Sequence, residues 1–329
     1  MNTDIKRILV TRDFPDKGIE RLKERAGFKV TLWDLERPMA PEELVEGAKS
    51  HDALLCTLSD RIDKAFLDAC AHLEIISQYA VGYDNIDVAY ADSLGIPVGY
   101  TPDAMTEATA DISFGLMIAT ARQMFFMHKI IIEGQWGHFR PKGNMGVLGQ
   151  ALKGRTLGIY GMGRIGLCMA QRCHGAYGMS VLYWSRSSNA EAEKTLGAVR
   201  VEFDELLAQS DVVSAHCALT PDTRHVFNRA AFKRMKPTGI FINTARGPIH
   251  DEAALLEALE TGEIWGAGLD VTDPEPMAKD HPLLSMPNVC VLPHIGSATK
   301  EARELMSVMA AENIIQFYDT GEIPHQVSV

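Results

Sequence analysis

The chain has 329 residues, 46% of them hydrophobic and 23% charged; this length exceeds what one hydrophobic core serves, and the composition excludes a disordered chain. Its net charge of −11 at pH 7 is a poor match for nucleic acid or an anionic membrane, which need Lys and Arg patches, so neither is expected as a partner. The six cysteines, Cys56, Cys70, Cys168, Cys173, Cys217 and Cys290, form no C-x-x-C pair and sit partly in apolar runs, so neither a disulfide framework nor a metal site is expected.

The opening segment, Lys6 to Thr11, reads as a short apolar strand and not as a signal peptide. A helix follows over 15–26, then a strand from Phe28 to Trp33, a helix from Pro41 to Lys49 and a buried strand over 52–57. A helix over 64–71, a strand over 74–80, a helix near 87–94 and a strand from Ile96 to Tyr100 continue the alternation, which predicts a parallel sheet covered on both faces. Thr101-Pro102 breaks the pattern and reads as a hinge. A single long helix is expected over 107–133, with Ile112, Leu116, Ala119 and Phe126 near one side, before an irregular stretch over 134–149. The apolar run from Ile112 to Ala121 is too short to cross a bilayer, and with the cysteine usage it points to a reducing, cytoplasmic setting. Residues 154–294 repeat the alternation, with strands at 156–160, 180–184, 211–217, 239–245, 266–271 and 289–292, and 300–321 forms a last helix.

The strongest local signal is the run Gly161-Met162-Gly163-Arg164-Ile165-Gly166, which follows the strand 156–160 and precedes a helix expected over 167–177. Gly161 allows a tight turn, Gly163 lets the backbone approach a pyrophosphate, and Gly166 lets helix and strand pack closely. The helix N-terminus supplies free N–H groups for the phosphates. An NAD site wants an acidic residue about 20 residues further on. Here the second strand ends in Ser185-Arg186-Ser187-Ser188 and offers no acid. Arg186 can pair with a 2′-phosphate and the serines can donate to it, so NADP(H) is expected over NAD(H), with NAD(H) still possible.

Three segments follow expected strands of the same sheet: Asn243-Thr244-Ala245-Arg246-Gly247, Asp273-Pro274-Glu275-Pro276 and Leu292-Pro293-His294-Ile295-Gly296. In an open parallel sheet, ligands bind beyond the carboxyl ends of the strands. Adding a hydride to a ketone builds negative charge on its oxygen, so a positioned acid is required, and histidine suits that work near neutral pH. A carboxylate orients such a ring, and a guanidinium receives a substrate carboxylate in two bonds. A small anionic 2-keto or 2-hydroxy acid is the partner this chemistry suits.

With the stretch Tyr79-Ala80-Val81-Gly82-Tyr83-Asp84-Asn85-Ile86-Asp87 and with Gly268-Leu269-Asp270-Val271, these motifs resemble the D-isomer-specific 2-hydroxyacid dehydrogenase family from end to end. Within it, the chain is most similar to the glyoxylate/hydroxypyruvate reductases. The resemblance implies two Rossmann-like parallel-sheet domains, one flavodoxin-like and one dinucleotide-binding, with an interdomain cleft that closes on substrate. The substrate domain would comprise 1–102 and 299–329, and the dinucleotide domain 103–298. His294 would donate the proton, Glu275 would pair with it, and Arg246 would clamp the substrate carboxylate and polarise the keto group. Leu58, Ser59 and the N–H groups of Val81 and Gly82 would complete the substrate pocket. Asp270 and Gly296 would sit near the nicotinamide amide. Thr109, Cys217, Leu219, Pro221, Thr223, Thr244 and Ala245 would line the cofactor groove beside Arg246 and His294. Formate dehydrogenases of this superfamily carry glutamine at the Glu275 position, which disfavours that branch. A homodimer through the long helix and the following loop is implied, with Trp136 and Phe139 available to a partner subunit. The alternatives are a 2-ketogluconate reductase, another D-2-hydroxyacid dehydrogenase and, from a different class, a dinucleotide-sensing corepressor-like binding protein.

Overall fold

The computed structural model describes residues 5–136 and 148–328. The chain divides into two compact units, Met1–Met105 with Ala298–Val329, and Thr106–Ser297. In the first unit, β1 (Lys6–Val10), α1 (Asp16–Glu24), β2 (Phe28–Leu32), α2 (Pro41–Ala48), β3 (Ala53–Cys56), α3 (Lys64–Ala69), β4 (Ile75–Gln78), α4 (Val88–Ser93) and β5 (Val98–Gly99) follow one another. The sheet order is β2-β1-β3-β4-β5, all parallel. Every residue of β3 and β4 is buried, as central strands of a two-sided parallel sheet require, whereas edge strand β2 alternates half-buried and exposed residues.

The second unit opens with α5 (Thr106–Ala121) and α6 (Met124–Ile132). The long helix expected over 107–133 is therefore two helices. Gln123 breaks it by adopting a left-handed φ of 54°. The carbonyl of Ala121 accepts the N–H of Gln150 at 2.8 Å, which occupies a group the helical ladder would have used. The sheet is then built from β6 (Thr156–Tyr160), α7 (Arg164–Tyr177), β7 (Ser180–Trp184), α8 (Ala190–Leu196), β8 (Val199–Arg200) and α9 (Phe203–Gln209). It continues with β9 (Val212–Ala215), α10 (Arg229–Arg234), β10 (Ile240–Asn243), α11 (Glu252–Thr261), β11 (Gly266–Leu269) and β12 (Val289–Val291). The parallel order β12-β11-β10-β9-β6-β7-β8 reverses direction between β6 and β9, the point where doubly wound sheets bind dinucleotides. The first unit has its own reversal between β1 and β3, the flavodoxin-like order. The chain finally returns to the first unit as α12 (Lys300–Thr320). Its Met306, Ala310, Ala311 and Ile314 pack with Ile8, Val10 and Ile19. The Ser77 hydroxyl donates to the carbonyl of Ala310 at 2.8 Å. No described helix is long and apolar enough to cross a membrane.

Candidate active site

The glycine run lies in the turn from β6 into α7, beside the point of strand reversal. Gly161 has φ +99°, and a Cβ there would come within 2.8 Å of the backbone nitrogen of Cys217. Its N–H donates to the carbonyl of Trp184 at 2.8 Å, closing the turn against the end of β7. A Cβ on Gly166 would collide with the carbonyl oxygen of Gly161, so α7 can approach β6 only with glycine at this place. Gly163 differs: a Cβ there would meet nothing within 4 Å. The protein's own packing makes no demand for glycine at 163, whereas a pyrophosphate lying against the backbone would. Met162 is buried, and its carbonyl accepts from Asn189 Nδ2 at 3.1 Å; Arg164 is exposed and Ile165 half-buried. These residues fit a dinucleotide's phosphates at the N-terminus of α7.

At the end of β7, Ser185 is half-buried while Arg186 and Ser187 are exposed. Their turn is held by a residue that sequence reading missed. Arg200, in the two-residue edge strand β8, donates to the carbonyl of Ser185 through Nε at 3.0 Å and Nη2 at 2.8 Å, and to the carbonyl of Arg186 at 3.1 Å. After β9, burial pushes the Cys217 thiol up to about 12, so it stays a neutral wall. Leu219 is half-buried and Pro221 exposed. The Thr223 hydroxyl accepts the N–H of Thr220 at 2.8 Å and donates to the carbonyl of Ala218 at 2.7 Å, so it shapes its own loop.

Arg246, Asp270 and His294 follow the carboxyl ends of the adjacent strands β10, β11 and β12. His294 Nδ1 lies 2.6 Å from Glu275 Oε1. With Nδ1 donating to the carboxylate, Nε2 is the ring nitrogen that Glu275 does not engage. His294 itself has φ 54°, a left-handed value uncommon outside glycine. The turn that imposes it is gripped by Asp270, which is buried to 1% exposure. Asp270 Oδ1 accepts the N–H of Ile295 at 2.8 Å and Oδ2 that of Gly296 at 2.7 Å. Burial raises the Asp270 pKa while these two bonds pull it down, and the net direction is up. Thr109 donates to the carbonyl of Gly296 at 3.2 Å, and Ser113, on the same helix, meets the hydroxyl of Thr244 at 2.7 Å. Arg246 is half-buried and its Nη1 donates to the carbonyl of Ala245 at 2.7 Å. The fully buried Asn243 donates to the carbonyl of Arg246 at 2.8 Å and accepts the N–H of Ala245 at 3.0 Å. A Cβ on Gly247 would strike the carbonyl of Thr272, so the Arg246 turn and the start of the loop bearing Glu275 are packed backbone to backbone. Glu252 accepts the N–H of Asp273 at 3.1 Å and anchors that same loop. Asn243 and Glu252 gave no signal in the sequence beyond lying near Arg246, because their partners are backbone atoms.

Within the first unit, Leu58 and Ser59 follow β3, and Val81 and Gly82 follow β4. Asn85 ties the two loops: its Nδ2 donates to the carbonyls of Thr57 at 3.0 Å and Asp60 at 2.8 Å. Gln78 Nε2 donates to Asn85 Oδ1 at 2.8 Å and to the carbonyl of Gly82 at 3.2 Å. Of the aromatic pair expected at a partner subunit, Trp136 is 74% exposed, and Phe139 lies outside the described residues.

Residues 114–296 match the family model for the NAD binding domain of D-isomer specific 2-hydroxyacid dehydrogenases. The chain is 44% identical over 319 residues to a glyoxylate reductase of Korarchaeum cryptofilum, covering 97% of this chain and 94% of that one. Among solved structures, a glyoxylate reductase from Paecilomyes thermophila superposes with a TM-score of 0.85 at 35% identity, covering 98% of each chain. An NADPH-dependent glyoxylate/hydroxypyruvate reductase from Sinorhizobium meliloti, solved with NADP and malonate, gives a TM-score of 0.85 at 33% identity, covering 98% of this chain and 97% of that one.

Proposed function

The chain belongs to the D-isomer specific 2-hydroxyacid dehydrogenase family, and from that premise we propose that this NAD(P)-dependent oxidoreductase is an NADPH-preferring reductase of glyoxylate and hydroxypyruvate. The observation that carries the reading is the 2.6 Å pair of His294 and Glu275 at the carboxyl end of the sheet that also bears the glycine turn. A nicotinamide cofactor held at that turn would supply the hydride that the keto carbon takes up. Arg246 receives the substrate carboxylate and, through its positive charge, polarises the keto oxygen. His294 Nε2 delivers a proton to that oxygen as charge develops on it. Glu275 orients the ring and stabilises the imidazolium before the proton leaves. Leu58, Ser59, Val81 and Gly82 are proposed substrate contacts of the first unit. Thr109 and Asp270 hold the backbone of Ile295 and Gly296, beside which, with Thr244, the nicotinamide is proposed to lie.

The preference for NADPH rests on Arg186 and the two flanking serines, in a turn without an acid that Arg200 keeps in shape. The Sinorhizobium relative, named as NADPH-dependent and solved with NADP, supports the same choice. Steady-state oxidation of NADPH and NADH with glyoxylate, hydroxypyruvate and 2-ketogluconate tests the assignment. We expect turnover of the first two acids with NADPH, and a preference that Arg186→Gln abolishes. Equal use of both cofactors by the native enzyme would remove the role given to Arg186. Turnover of 2-ketogluconate alone would move the substrate and leave the chemistry.

The enzyme is further proposed to be a homodimer through α6. This helix presents Met124, Phe125, Ile131 and Ile132, the last 73% exposed, with Trp136 just beyond. Such an apolar cluster is more than an isolated surface side chain and marks an interaction face. Sedimentation of the native chain is expected to give twice the 36.2 kDa chain mass, and Ile132→Glu to give the single chain.

A further inference from the structure

Asn243, the last residue of β10, is oriented by chemistry that admits one answer. The N–H of Ala245 can only donate, so the atom 3.0 Å from it is Oδ1. The carbonyl of Arg246 can only accept, so the atom 2.8 Å from it is Nδ2. Nδ2 carries a second hydrogen, and it meets Nδ1 of His250 at 3.0 Å. An amide N–H can only donate, so Nδ1 of His250 is the acceptor and the ring proton sits on Nε2. His250 is 0% exposed. Phe241 lies edge-on to it, ring centroids 5.8 Å apart. Burial pushes its pKa down to about 4, so the ring is neutral and Nδ1 remains an acceptor at working pH. Nε2 has no partner among the described residues. A buried N–H without an acceptor is unfavourable, and leucine would avoid that penalty in similar space. What histidine offers there, and leucine cannot, is the acceptor at Nδ1.

We propose that His250 is a positioning residue for Arg246: its neutral ring fixes the amide of Asn243, and Asn243 fixes the turn that carries the guanidinium. The inference rests on the reading of Arg246 as the clamp for the substrate carboxylate. Without the acceptor, Asn243 keeps a buried hydrogen that nothing receives. Its amide is then held by two bonds in place of three, and its grip on the carbonyl of Arg246 loosens. The guanidinium shifts, and the keto acid is held less well, while the glycine turn of β6 is untouched.

Two variants and one spectrum test this. His250→Leu keeps volume and removes the acceptor; His250→Asn places Oδ1 where Nδ1 stood. In ¹⁵N spectra of histidine-labelled enzyme at neutral pH, the ring signal lost in His250→Asn should report a proton on Nε2 and none on Nδ1. His250→Leu should raise KM for glyoxylate about tenfold, as the loss of one well-placed hydrogen bond implies. KM for NADPH, whose phosphates are proposed to rest on the glycine turn, should change several-fold less than KM for glyoxylate, and His250→Asn should recover most of the glyoxylate affinity. A proton found on Nδ1, His250→Asn as impaired as His250→Leu, or an equal loss for NADPH overturns the proposal. Should His250→Leu not fold, the spectrum and His250→Asn decide. Absence of glyoxylate turnover in the native enzyme would instead overturn the substrate reading, and the tautomer would still be read independently.

Discussion

His294 does two things at once that few residues tolerate. It holds φ at 54°, where an L side chain is disfavoured by roughly 1–2 kcal/mol, and it presents Nε2 away from a carboxylate 2.6 Å from Nδ1. A test of its proton-donor role therefore needs a replacement that accepts the same backbone. Asparagine does, since its short polar side chain visits the left-handed region more readily than most. His294→Asn is expected to lower kcat by about 10²–10⁴-fold with Tm moved by only a few degrees. Glu275→Gln, which keeps size and removes charge, should lower kcat less. A change confined to KM, with kcat intact, would sink the proton-donor role. The three residues proposed for this chemistry could be picked out in the sequence, because each follows a strand and matches a family motif. What holds them could not. The carboxylate of Asp270 is spent on the N–H groups of Ile295 and Gly296, a contact between distant positions that no local pattern encodes.

Within the turn from β6 into α7, two glycines three residues apart meet opposite demands. A Cβ at 166 runs into the carbonyl of Gly161, and one at 163 meets nothing. Gly166→Ala is therefore expected to lower Tm clearly, since the helix must move off the strand. Gly163→Ala should leave Tm nearly unchanged and raise KM for the cofactor about tenfold or more, because the methyl stands where phosphate is proposed to lie. Differential scanning calorimetry beside cofactor titration checks both, and a Gly163→Ala variant with unaltered cofactor binding would refute the placement. At this scale most of the architecture was readable. Runs such as Leu54-Leu55-Cys56 and Ile240-Phe241-Ile242 are buried on both faces and announce central parallel strands. The break between α5 and α6 was not readable, since Gln123 is neither glycine nor proline and the competing donor, Gln150, comes from the returning chain. Strand β8 also escaped notice. It has two exposed residues, and its existence depends on pairing with β7.

Burial of His250 makes the stability of the whole molecule depend on acidity. The His250 pKa falls from 6.5 to about 4 through burial. A folded-state value below the unfolded one means that the contribution is fully present above 6.5 and is lost as pH falls through the folded value. For His250 this amounts to about 1.4 kcal/mol per pH unit at most. Urea unfolding from pH 7 to 5 should therefore weaken the native enzyme more steeply than His250→Asn, and parallel slopes would contradict the burial of a neutral ring. The comparison with a variant matters because burial raises the pKa of Asp60 and Asp270, which act in the opposite sense. One further consequence concerns how the molecule is made. The first unit is closed by α12, whose Met306, Ala310, Ala311 and Ile314 cover Ile8, Val10 and Ile19. On the ribosome, the strands of this unit emerge first and wait, through synthesis of the contiguous unit 106–297, for the helix that finishes their core. At ordinary elongation speeds the wait is roughly 10–40 s. The part of the enzyme begun first is completed last, and for that interval the newborn chain carries an uncovered apolar face that a chaperone can hold.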